Sequence, residues 1–146
     1  MVHGDTVRLL RECSSGINMG VSSIGEVLPA VKDKRLREIL CESREKHRLL
    51  GDETDRLISE YGDEEKDAPA MARGMAKLKS DLTLSFSGDT KDAAAANLIT
   101  DGCNMGVKSL SRYLNEFAAA DERSKDIAKR LISLEERLSV DLGDWL

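Results

Sequence analysis

Hydrophobic positions recur at helical spacing through nearly the whole chain. Val7, Leu10, Ser14, Ile17, Val21, Ile24, Leu28 and Val31 are separated alternately by three and four residues, a heptad seam with one polar member. This predicts a long amphipathic helix whose start Asp5 or Thr6 can cap. Pro29 falls in its last turn and is expected to kink it or end it just before Val31-Lys32-Asp33. Asp33 then reads as the N-cap of a second helix, with Leu36, Leu40, Ser43, His47, Leu50, Thr54, Leu57 and Tyr61 as its seam. So short a turn makes the two helices antiparallel neighbours. Gly62 and an acidic run close the second helix, and residues 62–68 read as a solvated linker. A shorter amphipathic stretch from Pro69 to Phe86 carries Met71, Met75, Leu78 and Leu82 on one face, and Ser87-Gly88-Asp89 is a turn. A third long helix is expected from Thr90 to Ala119, with Thr100, Cys103, Val107, Leu110, Leu114 and Phe117 as its seam. Asp121 caps a fourth, in which Ile127, Leu131, Leu134, Leu138 and Trp145 share a stripe.

The first and third helices are related. Gly16-Ile17-Asn18-Met19-Gly20-Val21-Ser22-Ser23 returns 86 residues later as Gly102-Cys103-Asn104-Met105-Gly106-Val107-Lys108-Ser109, and six of the eight positions are identical. The seam keeps its phase, since Ile17 maps to Cys103, Val21 to Val107, Ile24 to Leu110 and Val31 to Phe117. After a two-residue insertion Asp33 maps to Asp121, Arg35 to Arg123 and Ile39 to Ile127. Each half is therefore a helical hairpin. The chain reads as one all-α domain over residues 1–146, a four-helix bundle of two pseudo-symmetric hairpins (5–61 and 89–146). An acidic linker and short crossover helix, 62–88, join them. Two hairpins joined by a long crossover is the connectivity of ferritin-like folds.

Composition narrows the picture. A chain of 146 residues can bury one core. With 34% charged residues, much of it must be solvated helix surface, and two Phe, two Tyr and one Trp are too few to fill a β-sandwich or to stack single-stranded nucleic acid. The net charge of −5 is local: residues 52–67 hold eight acids and two bases, and the other 130 residues are close to neutral. A nucleic-acid surface or an anionic-membrane surface therefore lacks electrostatic support. No stretch approaches the roughly 18 apolar residues of a membrane span. The start, Met1 to Leu10, has no signal-peptide h-region, so a cytoplasmic location is expected. Cys13, Cys41 and Cys103 are far apart and odd in number, and read as small buried apolar side chains.

Two segments carry a family likeness. Val31-Lys32-Asp33-Lys34-Arg35-Leu36-Arg37-Glu38-Ile39-Leu40 at the first turn, and Arg73-Gly74-Met75-Ala76-Lys77-Leu78-Lys79-Ser80 followed by Gly88-Asp89-Thr90-Lys91, resemble a bacterial family of ferritin-like, rubrerythrin-related four-helix bundles classed as a domain of unknown function. Lys34 stands where that family has Pro, and Met75 where it has Trp. The resemblance implies a ferritin-like fold, self-association as a homodimer and a stress-related role, and it brings no assigned reaction.

Ferritin-like folds raise the alternative of a di-iron protein. That centre takes four inward carboxylates and two imidazoles, with a Glu-x-x-His motif on each of two helices. This chain has only His3 and His47, and Arg44 stands three residues before His47. On the heptad assignment Glu12, Glu26, Glu38 and Glu45 face outward, while Glu135 and Asp101 only flank the seam. No metal and no cofactor are expected. His47 in the seam reads as a buried imidazole bonded to Ser43 or Thr54. A second alternative is histidine phosphotransfer, since His47-Arg48-Leu49-Leu50-Gly51 is similar to the motif of phosphotransfer bundles, although Leu50 replaces its Lys. No nucleophilic triad or phosphate loop offers a catalytic residue. The mid-helix glycines point to contact instead: each costs about 1 kcal/mol relative to Ala, which close helix approach would offset. Candidate helix-contact or partner residues are Asn18 and Asn104, expected to bond to backbone or to each other, with Gly20, Gly106, Met71 and Met75. A non-catalytic bundle with a structural or protein-interaction role is the reading the sequence favours.

Overall fold

The computed structural model describes residues 2–61 and 91–146, with backbone alone for residues 2 and 3. The expected linker and the segment bearing Met71 and Met75 lie outside the described residues. Among the described residues four α-helices carry the fold: α1 (Val2–Val27), α2 (Lys34–Glu60), α3 (Lys91–Glu116) and α4 (Glu122–Asp141). No strand occurs among the described residues. Pro29 lies in a short 3-10 turn, Leu28–Ala30, that ends α1, and a second such turn, Leu142–Trp145, follows α4. The longest helices, at 26 and 27 residues, make the bundle about 40 Å long.

Both expected N-caps are in place. Asp33 accepts from the Leu36 amide at 2.9 Å and Asp121 from the Ser124 amide at 2.8 Å. The start of α1 differs from the expectation. The helix begins at Val2, so Asp5 and Thr6 lie inside it and cap nothing of their own. They reach instead to the turn between α3 and α4, where Asp5 accepts from the Ala119 amide at 3.1 Å and Thr6 from the Asp121 amide at 2.8 Å. These amides bond out of the turn rather than along a helix, which is why α3 stops at Glu116 and not at Ala119. At the opposite end Asp92, on the first turn of α3, accepts from the Lys32 and Asp33 amides at 2.7 and 3.0 Å.

These tethers set the topology. α1 starts beside the start of α4 and runs antiparallel to α2 and α3. α2 ends at Tyr61, whose hydroxyl donates to Asp121 at the head of α4. α2 and α4 are therefore antiparallel, while α2 and α3 run parallel. α1 packs against the other three helices, and α2 and α3 make little contact across the long diagonal. Exposed ion pairs, Glu60 with Arg123 at 3.0 Å and Glu53 with Arg130, hold the α2–α4 register.

The apolar core comes in two blocks. One gathers Leu10, Ile17, Leu50, Leu57, Leu110, Phe117 and Leu131 toward the start of α1, the other Ile24, Val27, Leu36, Leu40, Ile99, Leu138 and Leu142 toward its end. On each helix the break falls near the middle, between Ile17 and Ile24, Leu50 and Leu40, Leu110 and Cys103, and Leu131 and Leu138. A polar layer occupies that level.

Candidate functional site

Two side chains fill the layer. His47, from the middle of α2, is 1% exposed and Glu135, from the middle of α4, is 9% exposed. The imidazole Nδ1 stands 2.7 Å from the Ser43 carbonyl oxygen, one turn back on α2, and Nε2 stands 2.8 Å from Glu135 Oε1. A carbonyl oxygen only accepts, so Nδ1 carries a proton, and a second proton lies between Nε2 and the carboxylate. Burial is the largest single influence on His47 and opposes its charge. The Glu135 hydrogen bond and charge, with the Ser43 carbonyl, together outweigh it and hold the imidazole pKa above its usual 6.5. The net-neutral pair is what a low-dielectric layer can tolerate. Glu135 also meets Cys103 on α3, whose thiol is pushed strongly up, first by burial and then by the carboxylate.

The glycines give α1 and α3 their close approach to this layer. A Cβ on Gly20 would stand 3.1 Å from His47 Cδ2 and 3.2 Å from Nε2, nearer than the ring allows without moving. A Cβ on Gly106 would meet Glu135 no closer than 3.8 Å, at ordinary contact. Between α1 and α3 the missing side chains leave a cavity of ≈ 40 Å³, with His47 and Glu135 among its lining and apolar walls from Ile24, Leu98, Leu131 and Leu138. That is room for two or three waters or a very small apolar molecule. Gly16 and Gly102 line the same space, and Glu26 and Met105 stand beside it.

The other candidates fall elsewhere. Asn18 and Asn104 are exposed, on the outer surface of α1 and α3 rather than between them. Cys13 and Cys103 are buried as expected, and Cys41 is half-buried. The Cys13 thiol is pushed up to about 12, by burial and then by Glu12. Two acids depart from their expected places. Glu135 belongs to the core and not to the flank of the seam, because the buried arc of α4 runs Leu131, Glu135, Leu138 and passes beside Leu134. Glu12 is 7% exposed rather than outward, because α1 touches three helices and its buried arc is wider than one stripe. Its carboxylate meets the Tyr113 hydroxyl, which burial and then Glu12 raise above 10, and its Oε2 has no hydrogen-bond partner.

No known protein family, characterised protein or solved structure matches this chain.

The geometry bears directly on the chemistries weighed from the sequence. A di-iron centre draws on six protein ligands, all nitrogen or oxygen, whereas this layer offers one imidazole and one carboxylate bonded to each other, and the Cys103 thiol beside the carboxylate. Among the described residues no group of three or more His, Cys, Asp or Glu side chains is placed to hold a metal ion. The donor set does not fit the group. Phosphotransfer needs an imidazole nitrogen open to a receiver domain, and His47 has both nitrogens engaged inside the bundle. No helix among the described residues is long and apolar enough to cross a membrane.

The signal for Glu135 was present in the repeat. The 88-residue offset that maps Asp33 to Asp121 also maps His47 to Glu135. The same correspondence runs through the tethers: Thr6 and Asp92 are 86 apart, and each accepts from the N-cap amide of the other hairpin, Asp121 and Asp33.

Proposed function

We propose that this chain is a non-catalytic, ferritin-like helical bundle with a structural or protein-interaction role, working as a homodimer in the bacterial cytoplasm and tied to stress physiology as its family likeness implies. The observation that carries this reading is the state of the central layer. His47 and Glu135 bond to each other and His47 to the backbone, so the place where a ferritin-like bundle keeps its reactive groups holds a paired, net-neutral couple. The surface for self-association is the exposed outer arc of α1 and its counterpart on α3, which carry Asn18 and Asn104 at equivalent places beside the half-buried Met19 and Met105. Two equivalent stretches suit an isologous, twofold contact.

Light scattering on the full chain tests the proposal. The wild type is expected at twice the chain mass of 16.1 kDa, and the N18R/N104R double variant at the single mass with an unchanged helical circular dichroism spectrum. A wild type that stays monomeric throughout the micromolar range overturns the dimer. Iron or manganese retained at about two per chain overturns the metal-free reading.

A further inference from the structure

His47 and Glu135 are counterparts. Counting 88 residues on from the first hairpin to the second takes one to the other, as it takes one N-cap, Asp33, to the other, Asp121. The tethers obey the same exchange, with Thr6 holding the Asp121 amide and Asp92 holding the Asp33 amide. Gly20 approaches His47 of its own hairpin and its counterpart Gly106 approaches Glu135 of the other, while a Cβ on Gly20 would also stand 3.8 Å from Glu135 across the layer. Interchange of the halves is not exact, since α1 packs on α4 while its image, α3 on α2, makes little contact, but the N-cap tethers survive it and define a local pseudo-twofold axis. A residue can touch its own counterpart only at that axis, and His47 and Glu135 touch at 2.8 Å.

At the axis, the pairing of two like hairpins sets identical side chains against each other. Two glutamates there would bring like charges together in a buried layer. Two neutral imidazoles, each donating Nδ1–H to its own helix carbonyl, would face one another with two lone pairs and no proton between them. Either like pair can gain a shared proton only by taking up one that its groups do not hold at pH 8, whereas the unlike pair brings that proton with it and closes both hydrogen bonds.

We propose that the His47–Glu135 pair is a recognition element that makes each hairpin select the other kind and reject its own. The partner it fits is the opposite hairpin of this sequence, from the same chain or, by reciprocal exchange, from a second copy. Association of first hairpin with first hairpin, or second with second, is disfavoured at the axis. The device resembles the use of a single buried polar residue to fix pairing in coiled coils, where specificity comes from the penalty on the wrong partner.

The test uses full-length chains at pH 8. H47E places two glutamates at the axis and E135H two histidines, and each is expected to melt lower than the wild type by about 10 °C or more. The exchange variant H47E/E135H restores an unlike pair and is expected to melt within a few degrees of the wild type. The decisive sample is a mixture of H47E and E135H, unfolded together and refolded. Reciprocal exchange sets the introduced glutamate of one chain against the introduced histidine of the other, and the native His47 of the second chain against the native Glu135 of the first. The mixture is then expected to gain a melting transition near the wild-type temperature that neither variant shows alone, with a mixed-chain species of matching mass in native mass spectrometry. Mixing the two without unfolding is expected to leave both low transitions in place. The proposal is overturned if H47E/E135H melts no higher than the single variants, or if the refolded mixture melts as the sum of its parts.

Discussion

Gly20 and Gly106 hold equivalent positions, yet a methyl group would meet different surroundings at each. At Gly106 the nearest atoms lie 3.8 to 4.0 Å away, so Gly106→Ala is expected to gain the helix-propensity difference, about 1 kcal/mol, in urea unfolding. At Gly20 the same methyl stands 3.1 Å from an imidazole pinned at both nitrogens, and the ring cannot yield without lengthening hydrogen bonds of 2.7 and 2.8 Å. Gly20→Ala is therefore expected to destabilise, by about 1 to 3 kcal/mol once overpacking exceeds the propensity gain. The sign difference between two members of one repeat is the quantity to measure. It also marks what was legible at this scale. The seam position of His47 makes it a core residue with Ser43 or Thr54 in reach, and of the two it is the Ser43 carbonyl that the imidazole meets. The burial of Glu135 is hidden from local pattern because charged residues are seldom fully buried unless paired, and its partner lies 88 residues away. Glu12 escaped for another reason: a heptad stripe describes a helix with one neighbour, and α1 has three.

Helix ends separate local chemistry from long-range chemistry. Asp33 and Asp121 were legible as caps because a cap bonds an amide three residues on, and sequence order contains that distance. Asp5, Thr6 and Asp92 were not, since each bonds amides at least 59 residues away. These tethers fasten the turn of one hairpin to the first helix of the other, so they act between elements. Removing Asp92 leaves two amides at the head of α2 without their carboxylate. Asp92→Ala is expected to lower unfolding free energy by about 1.5 to 3 kcal/mol, the range for bonds to a charged acceptor. Thr6→Val, which removes one neutral acceptor at the equivalent place, is expected to lose about 1 kcal/mol. Chemical denaturation of the two variants tests the ranking, and amide hydrogen exchange should show faster exchange at Asp33 in the first and at Asp121 in the second.

At the scale of the molecule, the four long helices and the packing of α1 on α2 and α3 on α4 followed from the helical period, because a bundle's core is a sum of stripes. The division of that core into two blocks did not follow, since it depends on which side chains meet at mid-length. The division gives the whole fold a pH dependence with a definite sign. The folded state holds His47 above the 6.5 of the unfolded chain, so folding binds a proton between those values. Its contribution is fully present below pH 6.5 and is lost as pH rises through the folded pKa. Asp121 sets the acid side. Burial is its largest single influence and pushes the pKa up, but the Tyr61 and Ser124 hydrogen bonds and the Arg123 charge together hold it below 3.8. Its contribution is present above pH 3.8 and is lost as pH falls through the folded pKa. The urea midpoint of the wild type should therefore decline on the alkaline side. In Glu135→Gln the carboxylate charge is gone while the amide can still donate to the imidazole Nε2, so burial decides and His47 stays neutral. Stability should then fall as pH drops through 6.5, the reverse of the wild-type slope. An unchanged slope would mean that some group other than the central pair sets the pH response of the bundle.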